Sequence, residues 1–351
     1  MRKRVLTLLL GMTMMVGLLA GCGSKPAEDK PAADEPATEE ATTEEAAPEE
    51  APAEEATAEK KDKYVIGMSQ CNLGEPWRVA MNAQLEAAAA QYPEFEVIYA
   101  DAAQDNSKQI ADIENFVQKK VDLIIASPNE ATPLTNAVEA AYNAGIPVIL
   151  LDRKIDGDGY TQFIGADNVE IGRACGEYVA TTLLPDGGKV CEIKGLEGTS
   201  GGIDRDNGFR EGIKANPNVE IVAANNADWL REKAITVAEE MLQTNKEIDL
   251  FFALNDPMAE GAYIAAKNAG REQDILFVGV DGLPTPDGGI KSVIEGRLNL
   301  SMVYPTGGAE AIQSAYELLV EGKTLEKEVT LESEIVTPET APELLTKYGG
   351  Q

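Results

Sequence analysis

The chain has 351 residues, a formal net charge of −30 and no histidine. So acidic a protein is a poor partner for nucleic acid, and the sequence contains no basic DNA-reading module. The lack of histidine removes the commonest general base and the commonest metal ligand, so we expect a protein without catalysis, without a metal and without another cofactor.

The N-terminus carries a secretion pattern. A basic start at residues 2–4 precedes an apolar run at residues 5–20, and the run leads into Leu-Ala-Gly-Cys at residues 19–22. The run is shorter than the roughly 20 residues of a membrane-spanning helix, which favours a signal peptide over a transmembrane helix. The tetrapeptide resembles the lipobox of bacterial lipoproteins. We therefore expect a signal peptide over residues 1–21 and a lipid on Cys22 that anchors the protein to the outer face of the cell membrane.

Residues 22–63 have the composition of a tether. Beyond Cys22 they are mainly Pro, Ala, Glu and Thr with almost no large apolar side chains. Such a segment cannot bury enough apolar surface to offset the entropy of ordering, and its repelling glutamates and stiff prolines extend it. We expect a disordered acidic spacer between the membrane and a folded domain.

Three cysteines remain in the folded part: Cys71, Cys175 and Cys191. They lack metal-ligand spacing, and an odd number cannot form a complete disulfide framework. Buried free thiols are the expectation, and a bridge between Cys175 and Cys191 is the alternative.

From Tyr64 onward, short apolar segments alternate with amphipathic ones, which is typical of a parallel sheet covered by helices on both faces. Predicted strands lie at residues 64–69, 95–99, 121–125, 146–151, 188–193, 219–222, 248–252 and 275–280. Predicted helices lie at residues 77–91, 108–119, 231–244 and 258–269.

The alternating region also repeats itself. Residues 92–98 recur as residues 216–222, and residues 121–126 recur as residues 248–253. The matches keep the same order along the chain, which indicates one α/β unit used twice. Ligands of open parallel sheets gather at the carboxyl ends of the strands, so two such sheets that face each other would form one cleft.

Asp152 and Asp281 each follow an apolar segment at equivalent positions of the two repeats. We expect both to lie at the carboxyl ends of equivalent strands and to meet across the cleft.

Asp152 and Asp281 belong to a larger set of polar and aromatic side chains that follow predicted strands. They are Trp77-Arg78, Asp152-Arg153, Asp204-Arg205, Asp228-Trp229, Asn255-Asp256 and Asp281-Gly282. Carboxylates, guanidinium groups, an amide and indole rings suit a polyhydroxy ligand, because hydroxyls need paired hydrogen bonds and a sugar's C–H face packs on an aromatic ring. Each residue also has a structural interpretation: Trp77 as a staple of its helix to the core, Asp152-Arg153 as a solvated ion pair, and the others as caps or turns.

With these motifs in place, residues 64 to about 336 resemble the type I periplasmic-binding-protein fold of the ribose and galactose group. The Gly-Met-Ser-Gln start with Trp77-Arg78, the Leu151-Asp152-Arg153 step, Ile203-Asp-Arg205 and Asn255-Asp256 are most similar to the galactofuranose-binding member. Ribose-type relatives carry two aromatic residues where this chain has Trp77 and Arg78, so ribose is not the expected ligand.

The resemblance implies two Rossmann-like lobes joined by a three-segment hinge near residues 166–167, 304–305 and 331. The N-lobe would comprise residues 64–166 and 305–330, and the C-lobe residues 167–304 and 331–351. The implied ligand contacts are Trp77, Arg78, Ser127, Asp152, Arg153, Arg205, Trp229, Asn255 and Asp281.

The expected function is that of a monomeric extracytoplasmic receptor, which captures a monosaccharide between its lobes and delivers it to the permease of an ABC importer. A furanose such as galactofuranose is the candidate ligand. A chemosensory or quorum-signal receptor would use the same cleft with a membrane sensor as its partner. A glycosidase would need one carboxylic acid of raised pKa, whereas Arg153 beside Asp152 should lower the pKa of that residue.

Overall fold

The computed structural model describes residues 61–349. The predicted signal peptide, the lipidation site Cys22 and the tether up to residue 60 lie outside this range, so those expectations stay predictions. Within the described range, no helix combines the length and the apolar character needed to span a bilayer.

Strands and helices alternate along the described chain. The strands are β1 (Tyr64–Gln70), β2 (Phe95–Asp101), β3 (Leu123–Ala126), β4 (Val148–Leu151), β5 (Gln162–Ala166), β6 (Gly188–Lys194), β7 (Val219–Asn226), β8 (Leu250–Ala253), β9 (Leu276–Val278), β10 (Ser301–Val303), β11 (Glu328–Leu331) and β12 (Glu334–Val336). The helices are α1 (Pro76–Ala89), α2 (Asn106–Lys119), α3 (Ala131–Asn143), α4 (Asn168–Tyr178), α5 (Ser200–Gly212), α6 (Arg231–Thr244), α7 (Asp256–Asn268), α8 (Gly289–Ile294), α9 (Gly308–Leu319) and α10 (Ala341–Lys347). Every strand and helix that we placed from the sequence is present, with ends shifted by a few residues.

The strands form two parallel sheets. The first has the order β2-β1-β3-β4-β5-β11 and the second the order β7-β6-β8-β9. Strands β10 and β12 pair with each other and extend the second sheet through isolated bridges. We call the first sheet with α1, α2, α3 and α9 the N-lobe, and the second sheet with β10, β12 and the other helices the C-lobe.

The two sheets share one strand order, because β2-β1-β3-β4 in the N-lobe corresponds to β7-β6-β8-β9 in the C-lobe. The duplication inferred from the sequence repeats is thereby confirmed. Strands β3, β4 and β8 are buried along their whole length, as expected for apolar runs covered by helices on both faces.

Within the described residues, the chain passes between the sheets three times. It crosses after β5, where α4 begins in the C-lobe, and returns between β10 and α9. It crosses again between β11 and β12. The cleft between the lobes is therefore bordered on one side by three adjacent connections.

Cys71, Cys175 and Cys191 are buried free thiols, which confirms the expectation from their number and spacing. Burial raises the pKa of Cys175 to about 12 and that of Cys191 to about 11, so both stay protonated at neutral pH. The alternative bridge between Cys175 and Cys191 is not formed.

Strand β9 ends earlier than the sequence pattern predicts. It stops at Val278, because the backbone amide of Gly279 donates to Leu300 and that of Asp281 donates to Met302. The chain leaves β8 and runs along β10 instead. Asp281 consequently lies just beyond the strand end rather than at it.

Candidate functional site

A cavity lies between the lobes, at the carboxyl ends of the strands of both sheets. It contains about 330 Å³ of space between atoms, including the part that opens to solvent. Its lining residues are Glu75, Trp77, Arg78, Asp152, Arg153, Gly201, Arg205, Trp229, Asn255, Asp281 and Tyr304. Eight of the nine residues that the sequence singled out are in this set.

Ser127, the ninth, is set back from the cavity. It is completely buried, and its hydroxyl accepts a 2.8 Å hydrogen bond from Arg78. Ser127 therefore orients the guanidinium group of Arg78, and its own contact with a ligand stays a prediction.

Three neighbours of the residue pairs also lie outside this cavity. Asp256 accepts hydrogen bonds from the hydroxyl of Ser301 and the backbone of Gly282, Asp228 pairs with Lys233, and Asp204 lines a second pocket between the lobes. The turn interpretation suits Asp228, whereas Asp204 lies inside helix α5 and Asp256 in the first turn of α7, where Asn255 is the N-cap.

Asp152 is the centre of an ion-pair network in the N-lobe. Its carboxylate lies 2.6 Å from the guanidinium of Arg78 and 3.6 Å from that of Arg153. Burial would raise the pKa of Asp152, but the two arginines outweigh this effect and the pKa is lowered. Asp152 is therefore ionised and acts as a hydrogen-bond acceptor, not as a general acid.

Tyr304 connects the network to the second crossing between the lobes. Its hydroxyl donates a 2.6 Å hydrogen bond to Asp152 and accepts one of 3.2 Å from Asn168. Its backbone oxygen accepts a 2.8 Å hydrogen bond from the indole of Trp77. The sequence analysis missed Tyr304 as a cavity residue, and its place before Pro305 at a predicted hinge was the only available signal.

Trp77 packs in the core and also lines the cavity, while its contact with a ligand stays a prediction. Its ring lies 5.1 Å from the ring of Tyr304 and packs in the main apolar core. At the cavity wall, the guanidinium group of Arg78 lies over the ring, 4.8 Å from its centre. The core contacts and the hydrogen bond to Tyr304 fix the orientation of the ring. A flat apolar surface is thus held rigidly in the N-lobe wall.

The C-lobe wall contributes Arg205 and Trp229. Arg205 donates two hydrogen bonds to Asn168, of 3.1 and 2.7 Å, and a third to the backbone of Leu254. Trp229 fits against Gly195, where a Cβ atom would come within 2.1 Å of the indole ring. Among the described residues, the buried indole nitrogen of Trp229 has no hydrogen-bond partner, so one donor of a cavity-lining residue is unsatisfied.

Asp281 differs from Asp152 in its surroundings. It is 7% exposed, and within the described part of the chain its carboxylate has neither a hydrogen bond nor an ion pair. Burial and the nearby carboxyl group of Asp256 raise the pKa of Asp281 well above its usual value. Burial likewise raises the pKa of Asp256 to about 7.

Both aspartates also have unusual backbone conformations. The φ angle is 71° at Asp152 and 143° at Asp281, in a region that residues with a Cβ atom rarely adopt. Such strain costs on the order of 1–3 kcal/mol per residue and clusters at functional sites. The fold thus maintains a strained backbone at two aspartates just beyond the ends of equivalent strands in opposite lobes.

The site contains no recognisable metal chemistry. Across residues 61–349, no group of histidine, cysteine, aspartate and glutamate side chains has a geometry suited to a metal ion. The cavity instead offers acceptors, donors and two indole rings, which is the chemistry that hydroxyl groups and C–H faces require.

Comparisons with known proteins agree with this architecture. The sequence model of the periplasmic binding protein domain matches residues 66–324. The galactofuranose-binding protein of Escherichia coli is 32% identical over 80% of this chain and 90% of its own length. The ribose import binding protein of Bacillus subtilis is 34% identical over 63% of this chain and 71% of its own. The solved fructose-binding periplasmic domain of a hybrid two-component system is 40% identical, with a TM-score of 0.79 over 82% of this chain and 94% of that domain.

Proposed function

Because the chain belongs to the periplasmic binding protein family, we propose that it captures a monosaccharide between its two lobes outside the cytoplasm and delivers it to the permease of an ABC importer. The observation that carries this proposal is the interlobe cavity, in which charged side chains and two tryptophans from both sheets face one space. Closure of the lobes traps the sugar, and the closed form is the one that the permease recognises.

We place the direct ligand contacts on the eight predicted residues that line the cavity. Asp152 and Asp281 accept hydrogen bonds from sugar hydroxyls, and Arg78, Arg153, Arg205 and Asn255 donate them. Trp77 and Trp229 cover the apolar faces of the ring. The three crossings after β5, β10 and β11 act as the hinge segments, the receptor works as a monomer, and Cys22 anchors it to the membrane.

The ligand that this site suits best is a furanose. A relative that matches 80% of this chain binds galactofuranose, and the solved domain at 40% identity binds fructose. The combination of Trp77 with Arg78 places one ring and one cation where a ribose-type site has two rings. A guanidinium group can donate two parallel hydrogen bonds to adjacent hydroxyls.

A sensory receptor is the second candidate. It is favoured by one observation, the similarity to the fructose-binding domain of a two-component system. Genes for a permease and an ATPase beside the gene for this chain would support the importer, and a neighbouring sensor kinase would support the receptor.

A thermal-shift screen of the full-length protein in detergent tests the sugar proposal. Galactofuranose, fructose, ribose and myo-inositol are added separately, and a tight ligand at 100 times its Kd stabilises the fold by about 2.7 kcal/mol. We expect a furanose to give the largest shift. The absence of a shift with every sugar would contradict the proposed ligand class.

A further inference from the structure

Direct contacts join the lobes outside the cavity. The backbone amide of Ala131 in the N-lobe donates a 3.2 Å hydrogen bond to the carbonyl of Gly198 in the C-lobe. The backbone amide of Lys154 donates one of 3.0 Å to the hydroxyl of Ser200. A third, of 3.2 Å, joins the side chain of Gln104 to the carbonyl of Asp228.

One of these contacts gives a hydrogen-bond partner to a backbone amide that has none within its own helix. Helix α3 begins at Ala131, and its N-cap residue Glu130 makes no capping hydrogen bond with its side chain. The first amide of a helix has no partner within the helix. The carbonyl of Gly198, from the opposite lobe, supplies that partner, so α3 gains a cap when the lobes meet.

The local backbone of the C-lobe is adapted to this contact. Gly198 has a φ angle of +78°, which favours glycine, and a Cβ atom there would lie 3.1 Å from the carboxylate of Glu130. Gln104 and Asp228, which meet across the cleft, also have positive φ angles of 61° and 52°. The two backbone carbonyls that accept interlobe hydrogen bonds, those of Gly198 and Asp228, therefore belong to residues whose positive φ angles most residues avoid.

Each contact is also close in sequence to the cavity. Lys154 follows Arg153, Ser200 precedes Gly201, and Asp228 precedes Trp229, and these three neighbours all line the cavity. The residues that join the lobes are therefore sequence neighbours of residues that would touch the sugar, so both groups move together when the lobes open.

We propose that Gln104, Gly198 and Ser200 are positioning residues that form an interlobe latch, which holds part of the ligand-free protein closed and sets how long a sugar stays bound. The latch rests on the proposed closure of two lobes around a ligand. It touches no ligand itself, because none of the three residues lines the cavity.

Hydrogen exchange of the ligand-free, full-length protein tests the latch without any sugar. The amide of Ala131 is protected by Gly198 only while the lobes are closed. In Ser200→Ala, one of the other contacts is lost, so the closed fraction falls and the Ala131 amide should exchange about two- to tenfold faster. Ser200→Thr, which keeps the hydroxyl, should restore the original rate.

Two further variants complete the test. Gly198→Ala should also accelerate exchange at Ala131, because the added methyl crowds Glu130 in the closed form. Thr244→Ala is the matched control, since its hydroxyl donates to Glu240 within its own helix, and it should leave the rate unchanged.

Unchanged exchange at Ala131 in both Ser200→Ala and Gly198→Ala would overturn the latch, even if the protein binds a sugar. Accelerated exchange in a protein that binds no sugar would keep the latch and contradict only the proposed function. Where a sugar does bind, its dissociation should accelerate by a similar factor in the same variants, with the association rate unchanged.

Discussion

The hydroxyl of Tyr304 donates a 2.6 Å hydrogen bond to the carboxylate of Asp152, and this bond joins the second crossing of the chain to the wall of the cavity. Tyr304 follows β10 and precedes the return of the chain to the N-lobe. A residue at a proposed hinge thus holds the carboxylate that we expect a sugar to contact.

Replacing Tyr304 by Phe should weaken sugar binding by about 1.5–3 kcal/mol, because it removes a hydrogen bond to a charged group but keeps the ring packed on Trp77. Isothermal titration calorimetry measures the effect. Tyr142→Phe, at an exposed ring, is the control and should bind as the wild type does. Equal affinities for Tyr304→Phe and wild type would show that the orientation of Asp152 does not depend on this bond.

Replacing each tryptophan should lower sugar affinity to a similar extent but lower the melting temperature to different extents. Either Trp77→Ala or Trp229→Ala should weaken binding by about 1–3 kcal/mol through the loss of a ring beneath the sugar. In addition, Trp77→Ala should lower the melting temperature more, because only Trp77 loses a described hydrogen bond from its indole. Calorimetry and thermal unfolding of the same samples measure both effects, and undiminished affinity in either variant would restrict that ring to a structural role.

The two aspartates should give opposite pH dependences of stability. The raised pKa of Asp281 means that the native state holds a proton that the unfolded chain releases, so the free energy of unfolding falls as the pH rises from the ordinary carboxyl range towards the native pKa. The lowered pKa of Asp152 stabilises the native state at neutral pH, and this contribution is lost as the pH falls through the native pKa.

Asp281→Asn should therefore be more resistant to denaturant than wild type at about pH 8, with a smaller gain at about pH 4. Asp152→Asn should be less resistant at about pH 8, because Arg78 and Arg153 lose their partner. Urea unfolding of the ligand-free proteins measures these differences. The same sign of change for both variants at the higher pH would contradict the assigned environments.

The anchor can be tested separately. Cys22→Ser should release the protein from the membrane fraction while sugar affinity stays the same, because the acidic residues 23–60 lie between Cys22 and the folded part in the sequence. Cell fractionation with immunoblotting reads the location. If Cys22→Ser remains in the membrane fraction, the protein is not held by a lipid on this residue.

Much of the fold could be predicted from the sequence, because fully buried parallel strands appear as uninterrupted apolar runs. The sequence repeats predicted the duplication. The polar and aromatic residues that follow the apolar runs predicted eight of the cavity residues. Strand β9 was predicted too long, since the change of pairing from β8 to β10 at Gly279 leaves no mark on the apolar pattern.

Helix α5 shows why other elements escaped prediction. Its sequence contains four glycines, which disfavour a helix in isolation. At Gly208 and Gly212, a Cβ atom would lie 2.0 and 2.3 Å from backbone oxygens of α4. The glycines permit a close helix crossing that only the tertiary structure reveals. Tyr304 escaped for a related reason, because its bond to Asp152 spans two distant parts of the chain.

One sugar should bridge the side chains of Asp152 and Asp281, and calorimetry of Asp152→Asn, Asp281→Asn and the double variant tests this most directly. The measurement uses the sugar that stabilises the wild type most. Asp152→Asn should bind at least about tenfold more weakly, since a hydrogen bond to a charged group contributes roughly 1.5–3 kcal/mol. Asp281→Asn should bind about two- to tenfold more weakly, since the raised pKa of Asp281 favours its protonated form and a hydrogen bond to an uncharged group contributes roughly 0.5–1.5 kcal/mol. The double variant should bind more weakly than either. If one aspartate proves essential and the other can be replaced without loss of affinity, the ligand does not span the two lobes in this way.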